Sequence, residues 1–110
     1  MTYKGGCHCG RIAFEVEGEL SEVMDCNCSI CARRGYLHWF VAPVKLRLST
    51  PESALYTYTF KSHKLKHHFC PTCGCAPFVR SDDGASINVR CLEGVDIGSL
   101  KVKQFDGRSL

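Results

Sequence analysis

Cys26-Asn27-Cys28-Ser29-Ile30-Cys31 places three thiols within six residues, at a C-x-C-x-x-C spacing. A C-x-x-C turn directs two sulfurs at one metal ion, with Zn–S bonds of about 2.3 Å, and Cys26 can join them from the other side of Asn27. Three protein ligands with a fourth position free are typical of a catalytic zinc. Two alternatives stay open: a closed structural zinc completed by Cys75 or Cys91, and a disulfide or plain buried thiols.

A second feature is a pair of cysteine motifs far apart in the chain. Gly6-Cys7-His8-Cys9-Gly10 supplies two thiols near the start, and Cys70-Pro71-Thr72-Cys73-Gly74 supplies two more. Neither pair is a complete site, so one four-cysteine zinc site that joins them satisfies both. Such a site closes a long loop, and we expect it to be needed for folding. The alternative for Cys70 and Cys73 is a redox pair, although the chain around them lacks a βαβ pattern.

Composition favours an intracellular metal protein over a secreted, disulfide-bonded one. The chain has 110 residues, which suits one domain over residues 1–110, and nine of them are cysteine. The number of thiols is odd, they stand in close groups, and no apolar signal segment precedes Cys7. These features predict a reduced, cytoplasmic protein. No apolar run approaches the length of a membrane span.

The formal net charge of +3 gives little support for a nucleic-acid partner. That value counts every cysteine as neutral, whereas metal-bound cysteines are thiolates. Seven thiolates and two Zn²⁺ ions would together add a charge of −3, which cancels the formal excess. We therefore expect no nucleic-acid binding.

The rest of the chain predicts short β-strands and almost no helix. Polar and apolar residues alternate, or β-forming residues cluster, over residues 11–17, 22–25, 37–41, 44–48, 55–60, 77–80, 86–91 and 101–105. Asp82-Asp83-Gly84 predicts a hairpin turn, and Ala32-Arg33-Arg34-Gly35 predicts a helical turn ended by glycine. Glycines on both sides of Cys7-His8-Cys9, at Gly5, Gly6 and Gly10, are expected to let the backbone turn tightly and bring amides close to sulfur. The pattern as a whole predicts a mainly β fold.

Histidine and arginine side chains are candidates for the chemistry around an open zinc, which suits addition of a thiol to an aldehyde. In a strand, His67 would share one face with Leu65 and Phe69. It is then either a half-buried core histidine or a general acid and partner of the metal site. Arg33 and Arg90 are either solvated charges or groups that hold the carboxylates of a peptide-like substrate. Trp39 and Phe40 are expected in the core.

At these motifs the chain resembles the glutathione-dependent formaldehyde-activating enzyme family, which also contains centromere protein V. The resemblance covers nearly the whole chain and rests on residues 6–10, 25–31, 58–60, 63, 67, 69–74, 88–92 and 105–107. It implies an Mss4-like fold of short antiparallel strands stapled by zinc.

The resemblance also implies a function. Cys7, Cys9, Cys70 and Cys73 would hold a structural zinc, and Cys26, Cys28 and Cys31 a labile, catalytic one. The implied reaction is condensation of glutathione, or a related thiol, with formaldehyde or another small aldehyde, which is a carbon–sulfur lyase reaction in reverse. The alternative is a non-catalytic zinc-binding interaction module of the centromere protein V or Mss4 type.

Overall fold

Short β-strands dominate the fold, as the sequence pattern predicts. A computed structural model describes all 110 residues, Met1–Leu110, with one α-helix, α1 (Ser29–Arg34). The strands are β1 (Thr2–Gly6), β2 (Ala13–Glu17), β3 (Glu22–Cys26), β4 (His38–Val41), β5 (Leu46–Leu48), β6 (Tyr56–Tyr58), β7 (Lys66–Phe69), β8 (Phe78–Arg80), β9 (Ala85–Asn88) and β10 (Lys101–Phe105). Single 3₁₀ turns connect several of them, at Pro43–Lys45, Glu52–Ala54, Val89–Cys91, Ile97–Ser99 and Gly107–Ser109. This confirms the prediction of a mainly β, Mss4-like fold.

The strands form two sheets. One is antiparallel and contains β1, β2 and β5, and the other has the order β10-β3-β4-β9-β8-β7-β6. Every pair in the larger sheet is antiparallel except β10 and β3, which run parallel and place Phe105 opposite Cys26. The parallel pair therefore brings residues 105–108 beside the start of the three-cysteine motif.

The main core lies between the two sheets because each sheet turns one apolar face towards the other. Phe14 of β2 meets Phe78 of β8 edge-on, with ring centroids 5.4 Å apart. Trp39 of β4 meets Tyr3 of β1 in the same way at 5.5 Å. Burying a side chain of this kind contributes roughly 1.5–3 kcal/mol to the free energy of unfolding.

A second, smaller cluster lies on the opposite face of the larger sheet. Successive residues of a strand point to opposite faces, so Val79 faces away from the side on which Phe78 packs. Val79 packs there with Cys26, Cys31 and Tyr36, all of them buried. The three-cysteine motif is therefore separated from the main core by the thickness of one sheet.

The glycines that flank Cys7-His8-Cys9 make the predicted turn on one side only. Gly5 and Gly6 lie inside β1, not in a turn. A Cβ atom on Gly5 would come within 2.7 Å of both the carbonyl oxygen of Cys91 and the ring of Phe14. These positions need glycine for close packing, whereas Gly10, which has φ +88°, makes the predicted turn.

Three further expectations are corrected by the structure. Trp39 is buried as expected, but Phe40 is 59 % exposed because it alternates onto the other face of β4. The strand before Cys70 covers only Lys66–Phe69, since His63 has φ +58° and interrupts it. His67 is buried rather than half-buried, and Leu65 is exposed. The chain has no helix with the length and apolarity to span a bilayer.

Candidate functional site

The fold brings the two distant cysteine pairs together. The Sγ atoms of Cys7, Cys9, Cys70 and Cys73 all lie within 4.8 Å of one another. The Sγ atom of Cys9 is 3.7 Å from that of Cys7 and 3.6 Å from that of Cys70. A tetrahedral zinc with bonds of about 2.3 Å needs sulfurs about 3.8 Å apart. The four-cysteine group therefore fits a zinc ion in both ligand type and spacing.

Backbone amides surround the sulfurs of the four-cysteine group. The amide of Ile12 donates to Cys7 Sγ at 3.2 Å, and the amides of Thr72 and Cys73 donate to Cys70 Sγ, both at 3.4 Å. Amide hydrogen bonds stabilise a thiolate, which is the form that binds metal.

The thiols of this group have opposite tendencies to ionise. The amides of Cys75 and Cys9 lower the pKa of Cys73 to about 5. The amide of Arg11 lowers the pKa of Cys9, but burial and the neighbouring sulfurs raise it to about 11. Four thiolates this close repel one another, so the group becomes fully ionised only around a cation.

The three-cysteine motif forms a second group at the junction of β3 and α1. The Sγ atoms of Cys26, Cys28 and Cys31 lie within 4.8 Å of one another, and the amide of Cys28 donates to Cys26 Sγ at 3.4 Å. Burial raises the pKa of Cys28, but the amide of Cys31 and the adjacent thiols and amides bring it below its ordinary value. Burial, followed by the neighbouring Cys28, raises the pKa of Cys31. Cys28 therefore ionises more readily than Cys31.

Cys75 and Cys91 belong to neither group. Both line a cavity of 520 Å³ beside the four-cysteine group, together with Cys7, His8 and Arg90. Burial raises the pKa of Cys91 to about 11. The structure thus places Arg90 next to the four-cysteine group, whereas the sequence analysis linked it with the open zinc.

Each sulfur of the three-cysteine group has a different neighbour. Gly107 covers Cys26, because a Cβ atom at this glycine would lie 2.5 Å from Cys26 Sγ. The Nε2 atom of His38 lies 3.2 Å from Cys31 Sγ. Cys28 is partly exposed and lines a cavity of 180 Å³ with Ser29, Phe60, Lys61, Ser62 and Leu65. A small molecule can therefore reach the group past Cys28.

Asn27 fastens the end of the chain over the motif. Its backbone N–H donates to the carbonyl of Phe105 at 3.2 Å, and its side-chain Nδ2 atom donates to Asp106 Oδ1 at 3.0 Å. Its Oδ1 atom accepts from the amide of Arg108 at 2.9 Å. These three hydrogen bonds hold Gly107 against Cys26. Sequence reasoning missed Asn27 and Gly107 because the contact depends on the parallel pairing of β10 with β3.

Two cationic side chains flank the opening at Cys28. Arg33 lines a cavity of 320 Å³ with Ser29, Ile30, Tyr58 and Phe60, and its Nη1 atom donates to the carbonyl of Ser29 at 2.9 Å. Ser29 and Phe60 also line the cavity at Cys28, which includes Lys61, so the two cavities adjoin. Arg33 lies where the sequence analysis expected a cation, and Lys61 was not identified.

A row of six rings passes behind the three-cysteine group. Neighbouring centroids are 4.9–6.2 Å apart in the order Tyr58, Phe60, His67, Tyr36, His38 and Phe40. His67 is 3 % exposed, and neither of its ring nitrogens has a hydrogen-bond partner. Burial, then the charge of Arg34, lowers the pKa of His67, so the ring is neutral at pH 7. An unsatisfied buried polar group lowers the free energy of unfolding by about 1–3 kcal/mol. A functional role would explain why the protein keeps His67 in this position.

His38 is the second buried histidine of the row, and sequence reasoning did not single it out. Burial lowers the pKa of His38 to about 4. Its Nδ1 atom is hydrogen-bonded to the hydroxyl of Ser86 on the adjacent strand β9. The sequence did carry a signal for His38, since it is a polar residue in an otherwise apolar strand and lies close to Cys31 in the chain.

Comparison with known proteins places this chain in a family. The family model of the glutathione-dependent formaldehyde-activating enzyme matches residues 2–104. The chain belongs to that family. Among solved structures, the crystal structure of a Rhodobacter sphaeroides protein superposes with a TM-score of 0.80 and 32 % sequence identity, covering 91 % of this chain and 99 % of the other. Family membership confirms the resemblance seen in the motifs, and both cysteine groups could bind zinc within this family's fold.

Proposed function

We propose that this chain is a zinc-dependent enzyme that condenses glutathione, or a related thiol, with formaldehyde or another small aldehyde. The reaction is that of a carbon–sulfur lyase running in the direction of addition. Family membership supports the class of reaction. The observation that carries the proposal is the three-cysteine group, whose partly exposed member Cys28 lines a cavity of 180 Å³.

Two zinc ions of unequal lability are part of the proposal. Cys7, Cys9, Cys70 and Cys73 would hold a structural ion, and Cys26, Cys28 and Cys31 a labile one, with Cys75 and Cys91 outside both sets. At the labile position zinc supplies Lewis acidity and favours the thiolate form of a bound thiol. Nine thiols in a small protein suit a reducing compartment, and we place the protein in the cytoplasm.

The proposed chemistry forms one carbon–sulfur bond. The sulfur of the thiol gives an electron pair to the aldehyde carbon, the π pair of the carbonyl moves to its oxygen, and the thiol proton ends on that oxygen. His67 is our candidate for moving this proton, because its ring is neutral and its nitrogens have no protein partner. Its ring lies 5.4 Å from that of Phe60, which lines the cavity at Cys28. A neutral imidazole can accept the thiol proton and return it to oxygen.

Cations at the adjoining cavities would hold the thiol substrate. Glutathione carries two carboxylates, and Arg33 and Lys61 each line one of the two cavities that meet at Ser29 and Phe60. Guanidinium and ammonium groups bind carboxylates through charge-assisted hydrogen bonds. Arg90 remains a third candidate for this role, from the cavity beside Cys7 and Cys75.

Exchange NMR tests the activity, because it measures how fast free formaldehyde and glutathione interconvert with their adduct at equilibrium. We expect the two-zinc protein to exceed the uncatalysed exchange rate and the Cys28→Ser variant to lose this excess. The His67→Gln variant should lose about 10²–10⁴-fold. Exchange no faster than the uncatalysed rate with the two-zinc protein would refute the proposal.

The pH dependence tests the role of His67 separately. Because the pKa of His67 lies below its ordinary value, the base form persists as the pH falls through about 6.5, and so should the activity. The loss of activity should begin at lower pH and should be absent from the residual activity of His67→Gln, with zinc content measured at each pH. An identical profile in wild type and variant would remove His67 from the mechanism.

The alternative function, a non-catalytic zinc-binding interaction module, has one observation in its favour. Phe40 and Leu65 are exposed and line a groove of 410 Å³ together with Val41 and Val79. Exposed apolar side chains that share a groove are a feature of protein-binding surfaces. A protein that loads two zinc ions but neither binds glutathione nor accelerates exchange would favour this module.

A further inference from the structure

We propose that His38 is a positioning residue of the three-cysteine group, which donates a hydrogen bond to the sulfur of Cys31 and thereby controls how tightly the group retains its metal ion. This inference rests on the proposed function, since it assumes that Cys26, Cys28 and Cys31 bind zinc.

The direction of the contact between His38 and Cys31 follows from the thiolate form of Cys31. The ring of His38 is 7 % exposed, with Nε2 placed 3.2 Å from Cys31 Sγ and Nδ1 hydrogen-bonded to Ser86 Oγ. Cys31 is a thiolate when it binds a metal ion and can then only accept, so Nε2 carries the proton and donates to it. A neutral imidazole has one N–H, so Nδ1 is then the acceptor for the hydroxyl of Ser86.

The ring of His38 is held in this orientation by its neighbours. It stacks on Phe40 with a centroid separation of 5.7 Å and packs against Tyr36 at 4.9 Å. The backbone of His38 lies in β4, between β3 and β9, with Met24 and Asn88 opposite it. A side chain fixed on a central strand and packed on two sides is pre-organised for its acceptor.

The role is a hydrogen bond to a ligand and not coordination. His38 does not belong to the set of atoms that lie within 4.8 Å of one another around the motif. A donor to a metal-bound sulfur withdraws charge from it, orients it and stabilises its thiolate form against protonation. The sulfurs of the four-cysteine group accept from the backbone amides of Ile12, Thr72 and Cys73 instead. His38 thus supplies the three-cysteine group with a side-chain donor.

Two variants and a matched control separate this role from packing. His38→Phe keeps an aromatic ring between Tyr36 and Phe40 but removes both nitrogens, and Ser86→Ala removes the partner of Nδ1 with a small change in volume. His68→Phe is the control, because His68 is an equally buried histidine of the same sheet whose partners are Thr57 and Arg80. The zinc-loaded proteins are mixed with a chromophoric chelator to measure release of the labile ion. Co²⁺ then replaces that ion, and the thiolate-to-cobalt charge-transfer band is recorded.

We expect His38→Phe to weaken binding of the labile ion by about 10–100-fold, the usual effect of losing a partner of a metal ligand. The charge-transfer band should move to longer wavelength, because Cys31 without its donor gives more charge to the metal. Ser86→Ala should cause a smaller change of the same sign, and His68→Phe no change in either quantity. Ser86→Ala carries the test if His38→Phe does not fold.

Several results would overturn the inference. Unchanged affinity and an unchanged band in His38→Phe would exclude the hydrogen bond, and equal losses in His68→Phe would reduce the effect to packing. A cobalt spectrum that loses one ligand in His38→Phe would make His38 a ligand. A wild-type protein that binds only one metal ion would refute the proposed function itself, and this inference with it.

Discussion

The two cysteine groups use the same ligand atom, but the chain builds them in different ways. The four-cysteine group joins Cys9 to Cys70, which are 61 positions apart. The three-cysteine group comes from six consecutive residues at the end of β3 and the start of α1. Closing a long loop constrains the unfolded chain, whereas a local turn is nearly formed without the metal. The first group therefore suits a structural ion, and the second an ion that can be exchanged.

The surroundings of the two groups also suit a structural ion in the first and an exchangeable ion in the second. Cys70 is fully buried in the main core, and Cys7 and Cys73 pack against that core. Cys26 and Cys31 belong to the small cluster on the other face of the larger sheet, and Cys28 opens onto a cavity. Loss of the first metal would disturb the main core, and loss of the second would leave it intact.

The largest effect should come from breaking the four-cysteine group. We expect Cys9→Ser to unfold the domain or abolish soluble expression, because structural zinc binding is worth about 10–16 kcal/mol and a small domain is stable by about 5–15 kcal/mol. Circular dichroism melting and zinc content measure the outcome. Cys75→Ser is the matched control from the same region, and it should keep both ions and a normal melting curve. A Cys9→Ser protein with two zinc ions and a normal melting curve would show that the pairing is wrong.

Removing the metal ion of the three-cysteine group should affect the fold less, but it should abolish thiol binding. Mild chelation should release one equivalent of zinc and leave a folded protein, and Cys28→Ser should reproduce that state. Calorimetry with glutathione should then detect binding only in the two-zinc wild type. Loss of both ions together with unfolding would contradict the separation of the two groups.

The cysteine spacing was sufficient to predict the three-cysteine group and each distant pair, because C-x-C and C-x-x-C turns bring sulfurs together through local geometry. The meeting of the two distant pairs was predicted from ligand number instead, since two cysteines do not complete a zinc site. The alternation of polar and apolar residues was sufficient for most strands, because it too is a local pattern.

The neighbours of each sulfur could not be predicted from spacing alone. Gly107 reaches Cys26 through the parallel pairing of β10 with β3. His38 is only 7 positions from Cys31, but its contact depends on which face of β4 carries its side chain. Arg90 lies beside the four-cysteine group, and not at the open zinc as expected, because β9 ends at Asn88 and a 3₁₀ turn carries the chain towards Cys7.

A methyl group at Gly107 should sharpen the comparison by disturbing one group only. In Gly107→Ala the new Cβ atom would lie 2.5 Å from Cys26 Sγ and 3.2 Å from Cys28 Cβ, so the chain must shift. Overpacking of this kind costs about 1–3 kcal/mol, and we expect it to appear as faster release of the labile zinc. The structural zinc should be retained. Gly84→Ala is the control, because a Cβ atom there makes an ordinary contact of 3.6 Å. Equal zinc release in both variants would rule out the specific contact with Cys26.

The smallest effects should come from the cations that flank the opening at Cys28. Exposed ion pairs are worth about 0.2–1 kcal/mol, so Arg33→Gln and Lys61→Gln should each raise the Kd for glutathione by up to about fivefold. Salt should reduce both effects, since exposed charges are screened. A glutathione ester that lacks one carboxylate should bind the wild type more weakly and should be insensitive to one of the two substitutions.

Arg90→Gln completes this series and decides between the two sides of the molecule. Arg90 lies beside the four-cysteine group, so its substitution should leave the Kd unchanged if the thiol binds only at the three-cysteine group. A loss equal to that of Arg33→Gln would instead extend the thiol site to the cavity lined by Cys75 and Cys91. The fold should be unaffected in either case, because Arg90 is exposed and makes no side-chain ion pair. Calorimetry at low and high salt therefore measures the contribution of this charge to binding without a change in stability.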